Sequence, residues 1–324
     1  MLRLSIIIVT WNSRSDIEAC LRSLGPLPPD CELWVVDNAS TDGTVELLRS
    51  DFPYVRLVAN SENVGFSRAN NQALNLAGGK FILLLNPDTE LSFAAIESAI
   101  AELEARPRAG MLSVQLRNSD GSLQTSCFRF PKLSTALLNA FGLQLLLPQS
   151  YRARTLLGRW AHDEPRAVDW VLGAFMLVRR EALEEVGPLP EEYEIFTEDM
   201  EWCYRFRQAG YDIWFSPAAA IMHHGNRSGV KHAPTWRVQL THHGKYEFCR
   251  RHYGRVTARL ILLCDSLAYT LRHWRYALQA AMGSGQKYIR DTMAAGRRAT
   301  WNELRGNELR GNELRERAHG RIAG

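Results

Sequence analysis

The sequence lacks the two commonest phosphate-binding signatures. No GxGxxG follows the first apolar run, and no GxxxxGK[ST] occurs anywhere in the 324 residues, which excludes the usual dinucleotide and P-loop sites. Paired cysteines are also absent: the six cysteines form no CxxC and no metal-ligand spacing, a pattern typical of reduced thiols in a cytoplasmic protein. No apolar run reaches the roughly 18 residues that a membrane span needs.

The amino terminus is apolar but short. Residues 4–11 include Ser5 and Thr10 and lack a small-residue cleavage site. The segment is therefore predicted to be a buried first strand rather than a signal peptide.

Charge is unevenly distributed along the chain. The formal net charge is +4, yet residues 227–324 carry +12 and residues 1–226 carry −8. A basic tail indicates an anionic partner, which could be nucleic acid, a membrane surface or a phosphate-bearing lipid.

Residues 302–316 repeat NELRG with a period of five, which matches neither the helix period nor the strand period. This repeat is predicted to be solvated, partly helical and without function.

Short apolar runs alternate with helical patterns along the chain. The runs are residues 4–10, 33–36, 55–59, 81–85 and 111–114. The helical patterns between them cover residues 17–24, 44–49, 66–77 and 93–103. Unbroken apolar strands that alternate with helices predict an α/β fold, in which helices cover both faces of a parallel sheet.

A second region begins after an irregular stretch at residues 116–167. It contains strand-like residues 173–178, a helix at 198–209, and strand-like residues 213–215 and 218–222. From residue 234 to about residue 301 the pattern is helical and basic.

Polar residues follow the ends of three predicted strands. They are Thr10, Asn12, Asp37, Asn86 and Asp88. The carboxyl ends of parallel strands meet at one rim, where ligands bind. Two interpretations of Asp37 stay open: a turn residue, or a hydrogen-bond acceptor for a base or ribose. Asp88 is either a turn residue or a ligand for Mg²⁺ or Mn²⁺, which commonly combine one or two carboxylates with substrate phosphates.

The segment from Asn63 to Asn70 opens a predicted helix. Gly65 stands at the helix start, where backbone N–H groups attract anions, and Arg68 is placed to reach a phosphate. Asn70 lies on the apolar side of the helix, where a buried amide needs partners. The alternative is a satisfied core amide with a surface arginine.

Two later pairs carry further chemistry. Glu198 and Asp199 begin a helix, where acidic residues are common. Asp199 nevertheless falls on the apolar side of that helix, a position that suits a general base. His223 and His224 follow an apolar run and point in opposite directions on a strand, so only one of them can share a site with Asp88.

Taken in order, these motifs resemble family-2 glycosyltransferases with the GT-A fold, and look closest to bacterial rhamnosyltransferase-like members. The motifs are IIIVTWNS, VVDNASTDGT, ENVGFSRANNQAL, LLLNPDTEL, VLGAFMLVRREAL, FTEDMEWCYRFRQAGY and AAIMHHGNRS. The resemblance implies a Rossmann-like, nucleotide-binding, mostly parallel sheet flanked by helices, with a C-terminal helical extension. It divides the chain into a transferase domain at 1–226, with a nucleotide-sugar half at 1–115 and an acceptor half at 116–226. A basic helical extension at 227–301 and a flexible tail at 302–324 follow.

The resemblance implies an inverting, metal-dependent glycosyltransferase of cell-surface polysaccharide synthesis that uses Mg²⁺ or Mn²⁺. Rhamnose from dTDP-rhamnose would pass to a hydroxyl of a saccharide or polyprenyl-diphosphate-linked acceptor. The enzyme would be cytoplasmic and peripheral at the inner face of the cell membrane, without nucleic acid. The alternatives are a UDP-sugar donor, or a non-catalytic glycan- or lipid-binding module. A sugar-1-phosphate nucleotidyltransferase is disfavoured because no glycine-rich, arginine-bearing loop follows strand one.

The resemblance also implies residue roles. Thr10, Asn12 and Asp37 would contact the base and ribose. Asn63, Gly65, Arg68 and Asn70 would line the nucleotide-sugar pocket. Asp88 and His223 would bind the metal, Asp199 would be the catalytic base, and Glu198 would contact the acceptor. Asn86 departs from the family pattern, in which an aspartate stands at this position, and is expected to hydrogen-bond a ribose without adding charge.

Two further expectations concern surfaces. Residues 191–196 are expected to form a lid over the acceptor. In the basic extension, residues 260–263 and Trp274 are expected to enter a membrane interface. The arginines expected to meet anionic headgroups are Arg250, Arg251, Arg255, Arg259, Arg272 and Arg275. The alternative is a helical pair packed on the catalytic domain, with a solvated basic face.

Overall fold

The computed structural model describes residues 2–146, 160–193, 197–225, 235–281 and 287–305. The chain forms two compact units. The first comprises Met1–Phe130, Ala153–Glu192 and Glu198–Ser228, and the second comprises Pro131–Arg152, Tyr193–Thr197 and Gly229–Gly324. The division of the chain at residues 226 and 301 stays a prediction.

Strands and helices largely alternate up to residue 117. The strands, in chain order, are β1 (Leu4–Thr10), β2 (Cys31–Asp37), β3 (Arg56–Ala59), β4 (Phe81–Leu85), β5 (Thr89–Glu90), β6 (Ala109–Arg117), β7 (Leu123–Gln124), β8 (Cys127–Phe128), β9 (Arg166–Val168), β10 (Trp170–Val171), β11 (Phe175–Arg179) and β12 (Asp212–His223). The helices are α1 (Arg14–Leu24), α2 (Thr44–Asp51), α3 (Phe66–Leu74), α4 (Phe93–Glu104), α5 (Leu133–Ala140), α6 (Arg180–Val186), α7 (Glu198–Gln208), α8 (Thr235–Ala281) and α9 (Lys287–Leu304), with a 3₁₀ helix at Leu143–Leu146.

The first unit is built on one large sheet. Its strand order is β3-β2-β1-β4-β11-β6-β12-β5, with β7 beside β6 and β9 beside β12. Strands β3, β2, β1 and β4 run parallel, and every residue of β1 and β4 is buried. The α/β class and the mostly parallel sheet predicted from sequence are confirmed.

The apolar faces of the helices complete this core. Helix α1 buries Ile17, Cys20, Leu21 and Leu24, and α4 buries Ile96, Ala99, Ile100 and Leu103. These residues recur every three or four positions, so they lie on one side of each helix and pack against the sheet.

Two strands differ from their predicted arrangement. Strand β11, expected in a separate second region, lies antiparallel between β4 and β6. The two predicted strands at 213–215 and 218–222 form one strand, β12, with a register shift between Ser216 and Ala220. Pro217 lies within this shift, as expected for a residue that has no N–H to donate to a ladder.

The second unit is helical. Helix α8 is kinked at Gly254, whose φ of 82° is left-handed and suits glycine. Within the unit, Lys245 Nζ donates to Asp265 Oδ2 at 2.6 Å, and His242 Nε2 lies 2.9 Å from the Tyr269 hydroxyl. Among the described helices, none combines the length and apolarity needed to cross a membrane. Most of the NELRG repeat, from residue 306 onward, lies outside the described residues.

Candidate active site

Two buried polar atoms mark the rim at the ends of β1 and β2. Thr10 and Asp37 are register neighbours and are only 1% and 0% exposed. Asp37 Oδ1 accepts a hydrogen bond from Ser40 N at 2.9 Å, whereas Asp37 Oδ2 and Thr10 Oγ1 have no partner among the described residues. A buried polar group without a partner is costly, so this corner suits a ligand that supplies hydrogen bonds.

Asn12 holds the neighbouring loop. Its φ of 46° is left-handed, and its N–H donates to Ser40 Oγ at 2.8 Å. Its side-chain Oδ1 accepts from Thr41 N at 2.8 Å. The Asn12 side-chain amide, which the family resemblance predicts to contact the nucleotide, thus stabilises the loop after β2.

The start of α3 is shaped by Asn63 and Gly65. The Gly65 N–H donates to Asn63 Oδ1 at 3.0 Å. Gly65 has a φ of +87°, and a Cβ there would meet open space, so glycine serves the backbone conformation rather than close packing. Asn70 is buried, and its Nδ2 donates to Phe66 O at 3.0 Å, within the same helix.

Two other polar side chains of α3, Arg68 and Asn71, contact the segment that precedes α7. Arg68 is exposed, and its Nε lies 3.2 Å from Glu191 Oε2, so a phosphate contact would replace this ion pair. Asn71, which sequence did not single out, donates to Glu191 Oε1 at 2.8 Å and exchanges hydrogen bonds with the backbone of Leu189. Residues 194–196 of the expected lid lie outside the described residues.

Strand pairing brings Asp88 and His223 together. Because β5 pairs with β12, His223 lies opposite Thr89, and its Nε2 lies 3.2 Å from Asp88 Oδ1. Burial raises the pKa of Asp88, but the hydrogen bond and positive charge of His223 outweigh it and lower that pKa below its usual value. His224 contacts Glu90 instead, at 2.5 Å.

Gln124 orients His223. Gln124 Oε1 lies 2.6 Å from His223 Nδ1, and Gln124 Nε2 donates to Asn118 Oδ1 at 3.0 Å. This second bond fixes which amide atom faces the imidazole, so Nδ1 carries a proton. Nε2 donates to Asp88 when it is protonated as well, and offers a lone pair to a cation when it is not. Asn86 Nδ2 lies 3.3 Å from the same Nε2.

Asp88 and His223 fit a divalent cation that also takes oxygens from a substrate. The carboxylate suits either Mg²⁺ or Mn²⁺, and Mn²⁺ also accepts an oriented imidazole nitrogen. Within the described part of the chain, no group of three or more His, Cys, Asp or Glu residues could hold a metal. A cation here therefore needs ligands from a bound diphosphate and water.

Asp199 is a further buried carboxylate of the first unit. It lies in the first turn of α7; its Oδ1 accepts from Met200 N at 2.8 Å and its Oδ2 from Gly173 N at 3.3 Å. Burial, and then the nearby charge of Glu198, raise the pKa of Asp199 to about 8. A carboxylate that holds its proton this tightly is a stronger base than an exposed one.

Gly173 and Ala174 join the two carboxylate sites. The Gly173 N–H binds Asp199, while the Ala174 carbonyl accepts from Asn86 N at 3.1 Å. A Cβ on Gly173 would lie 3.7 Å from the Phe66 ring, at the start of α3. Sequence placed both residues in a strand without a site role, because these contacts depend on long-range pairing.

Known proteins resemble this chain in sequence. The family model described as "Glycosyl transferase family 2" matches residues 5–187. The N-acetylglucosaminyl-diphospho-decaprenol L-rhamnosyltransferase of Mycobacterium tuberculosis is 28% identical over 268 residues, which cover 78% of this chain and 85% of that protein. A rhamnosyltransferase of Escherichia coli K12 is 28% identical over 189 residues, 55% of this chain and 68% of its own length.

Solved structures share the fold. The mannosyltransferase PcManGT of Pyrobaculum calidifontis, in complex with GDP-Man and Mn²⁺, has a TM-score of 0.58 at 20% identity, covering 94% of this chain and 88% of that one. GalNAc-T7 with UDP, GalNAc and Mn²⁺ has a TM-score of 0.54 at 15% identity, covering 95% of this chain and 57% of that one. The fold is GT-A.

Proposed function

The chain belongs to glycosyl transferase family 2 and is a glycosyltransferase, and on that premise we propose that it transfers L-rhamnose from dTDP-rhamnose to a lipid-linked saccharide. The observation that carries the proposal is the pairing of two buried sites through Gly173 and Ala174. One site suits a metal-bound diphosphate and the other suits a base. The rhamnosyltransferases among its relatives support rhamnose.

The donor nucleotide binds at the ends of β1 and β2. Asp37 Oδ2 accepts a hydrogen bond from the N3–H of the pyrimidine, and Thr10 Oγ1 supplies a second polar contact. This accounts for two buried atoms that have no partner within the described residues. Uracil and thymine both carry this N–H, so a UDP-sugar remains the alternative donor.

The diphosphate binds between Asp88, His223 and the first turn of α3. When bound, Mg²⁺ or Mn²⁺ neutralises negative charge on the leaving diphosphate. Asp88 and His223 would hold the cation, and Asn86 would hydrogen-bond the donor without adding a charge that repels it. The backbone N–H groups that open α3 face an anion favourably.

Transfer proceeds by a single displacement. Asp199 takes the proton of an acceptor hydroxyl, whose oxygen forms a bond to the anomeric carbon from the face opposite the diphosphate. The bond from that carbon to the diphosphate oxygen breaks, and the configuration inverts. The Gly173 N–H and the Met200 N–H orient the Asp199 carboxylate, and Glu198 contacts the acceptor.

The acceptor is a saccharide on a polyprenyl diphosphate. The relative from Mycobacterium tuberculosis acts on a diphospho-decaprenol acceptor by its name, and residues 227–324 carry a net charge of +12. The enzyme accordingly works in the cytoplasm as a peripheral protein at the inner face of the cell membrane, as part of cell-surface polysaccharide synthesis.

A thermal-shift screen tests the donor site. Purified protein is heated with dTDP, UDP or GDP sugars, with and without Mn²⁺, because a ligand that binds only the folded state raises the melting temperature. We expect the largest shift with dTDP-rhamnose and Mn²⁺, and no Mn²⁺-dependent shift in Asp88→Ala. Glu90→Gln is the control, since Glu90 contacts His224 rather than His223. A Mn²⁺-dependent shift retained in Asp88→Ala would contradict the metal role.

A transfer assay tests the chemistry. Wild type and Asp199→Asn are compared for rhamnosyl transfer to a synthetic lipid-linked N-acetylglucosamine. We expect Asp199→Asn to bind the donor normally and to lose about 10²–10⁴-fold in kcat. If wild type binds sugar nucleotides but turns none over, the chain is a binding module rather than an enzyme of this reaction.

A further inference from the structure

The second unit exposes an unusual amount of apolar surface. Of the 14 large apolar side chains that are exposed among the described residues, only Tyr54 and Leu76 lie in the first unit. Seven of the other 12 lie on α8 beyond the kink at Gly254, and we call them the apolar stripe. They are Val256, Leu260, Leu263, Leu267, Leu271, Trp274 and Leu278.

The apolar stripe is continuous along the helix. Its members recur at intervals of three or four residues, so they share one face, and their exposure runs from 38% for Leu267 to 75% for Val256. At 1.5 Å per residue, the stripe is about 33 Å long. Of the segment 260–263 expected in an interface, Ile261 and Leu262 are buried instead, because they lie on the opposite side of the helix.

The charged side chains exposed beside the apolar stripe are all arginines. Between residues 255 and 278, a range the structure describes throughout, every other exposed residue is Arg255, Arg259 or Arg275. At 100° per residue, Arg255 and Arg259 lie on one flank of the stripe and Arg275 on the other. The one acidic residue of this segment, Asp265, is buried and accepts a hydrogen bond from Lys245.

The element packed on this helix adds further apolar surface. Helix α5 packs against α8, and the Arg272 guanidinium donates to Asn139 Oδ1. Four large apolar side chains of this region are exposed: Leu137, Phe141, Leu143 and Leu146.

We propose that the apolar stripe docks on an anionic lipid bilayer, with the helix lying in the plane of the interface. Apolar side chains then enter the boundary between headgroups and acyl chains, while the flanking arginines reach lipid phosphates. A second copy of the chain is a poorer occupant, since between residues 255 and 278 this face offers arginines but no exposed carboxylate to pair with them. The inference rests on the proposed function and deepens it by naming the surface that meets the membrane.

Vesicle co-sedimentation of the full chain tests the inference. The vesicles contain phosphatidylcholine alone, or equal parts of phosphatidylcholine and phosphatidylglycerol. We expect wild type to bind the anionic vesicles, and the double variant Leu263→Gln/Leu271→Gln to bind at least about tenfold more weakly. Tyr54→Gln/Leu76→Gln is the matched control, because it removes exposed apolar side chains from the first unit. Arg255→Gln/Arg259→Gln should weaken binding and reduce its dependence on salt.

Three outcomes would overturn the inference. The first is that wild type fails to bind anionic vesicles, and the second is that the stripe variant binds them as wild type does. The third is a dimer, detected by light scattering, that the stripe variant dissociates and that does not bind vesicles, which would identify the stripe as a self-association surface. Circular dichroism and donor thermal shifts of each variant check folding and the donor site, so failure here is distinguishable from failure of the proposed transfer reaction.

Discussion

At the scale of single residues, the surroundings of each carboxylate in the site set its protonation. Asp88 faces His223, which lowers its pKa and keeps it ionised. Burial and the nearby charge of Glu198 raise the pKa of Asp199. Two acidic residues of one region thus have opposite protonation tendencies, which suits the proposed metal ligand and the proposed base respectively.

Asp199→Asn should stabilise the protein as pH rises. The folded-state pKa is raised above the unfolded value of about 4, so the wild type loses stability between about pH 4 and pH 8, where the carboxyl is ionised in the unfolded chain but still protonated in the folded one. The variant escapes this loss, so we expect the difference in unfolding free energy between variant and wild type to shift in favour of the variant as pH rises through that window. Urea titrations across pH measure it.

Glu46→Gln is the control for this comparison. Glu46 also lies in a first helical turn but is exposed, so its substitution should leave the pH dependence unchanged. An Asp199→Asn advantage that is equal at pH 5 and pH 9 would contradict a raised Asp199 pKa.

Gln124→Leu should weaken metal binding about 10–100-fold, as expected when the acceptor that orients a ligating imidazole is lost. Gln124→Glu keeps an oxygen opposite His223 Nδ1 and should restore affinity. Mn²⁺ titration with a fixed nucleoside diphosphate, followed by electron paramagnetic resonance, gives the affinity independently of turnover. Wild-type affinity in Gln124→Leu would show that the 2.6 Å contact with His223 does not orient the ligand.

Sequence predicts some of these residues and misses others for a physical reason. The place of Asp88 after an apolar strand allows a turn residue or a metal ligand, and the family resemblance favours the ligand. The opposite orientation of His223 and His224 is predicted from strand alternation. Gln124 and Gly173 escape prediction because each acquires its partner through pairing between strands or helices that are distant in the chain.

At the scale of elements, close backbone packing fixes the centre of the sheet. Gly79 lies against β1, where its N–H donates to Ser5 Oγ at 2.8 Å. Local periodicity predicts β1 and β4 closely because both are fully buried apolar runs. The position of β11 between β4 and β6 is not predicted, since no local pattern encodes which strands pair.

Gly79→Ala should destabilise the protein by about 3 kcal/mol, the upper end of the cost of overpacking. A Cβ there would lie 2.5 Å from Ser5 N and 2.6 Å from Leu4 C, both backbone atoms. Gly78→Ala is the matched control, because its Cβ would meet the Leu2 side chain at 3.4 Å. Chemical denaturation of both variants measures the difference, and equal stability would refute the close approach.

At the scale of the whole molecule, each of the two units is built from segments that alternate along the chain. The second unit takes Pro131–Arg152 and Tyr193–Thr197 from within the stretch that builds the first. Composition and charge locate the basic extension, because both are properties of a continuous stretch of sequence. They do not reveal that α5 packs against α8, because that contact joins segments far apart in the chain.

A protein truncated after residue 228 should be less soluble and melt at a lower temperature than the full chain. Helix α5 would lose α8, against which it packs, and its exposed apolar surface would grow. Truncation after residue 305 is the control, since it removes only residues beyond α9 and most of the repeat. Soluble yield and thermal denaturation measure the effect; a monomeric, equally stable 1–228 fragment would contradict it.

The packing of α5 on α8 also has a consequence for biosynthesis. About 115 residues separate the end of α5 at Ala140 from the part of α8 beyond Gly254. At roughly 5–20 residues per second, a ribosome needs on the order of ten seconds to make them. Throughout that interval Ala136 and Ala140, which are buried in the complete protein, belong to a helix whose partner does not yet exist. We therefore expect the nascent chain to bind chaperones and expression yield to follow chaperone supply.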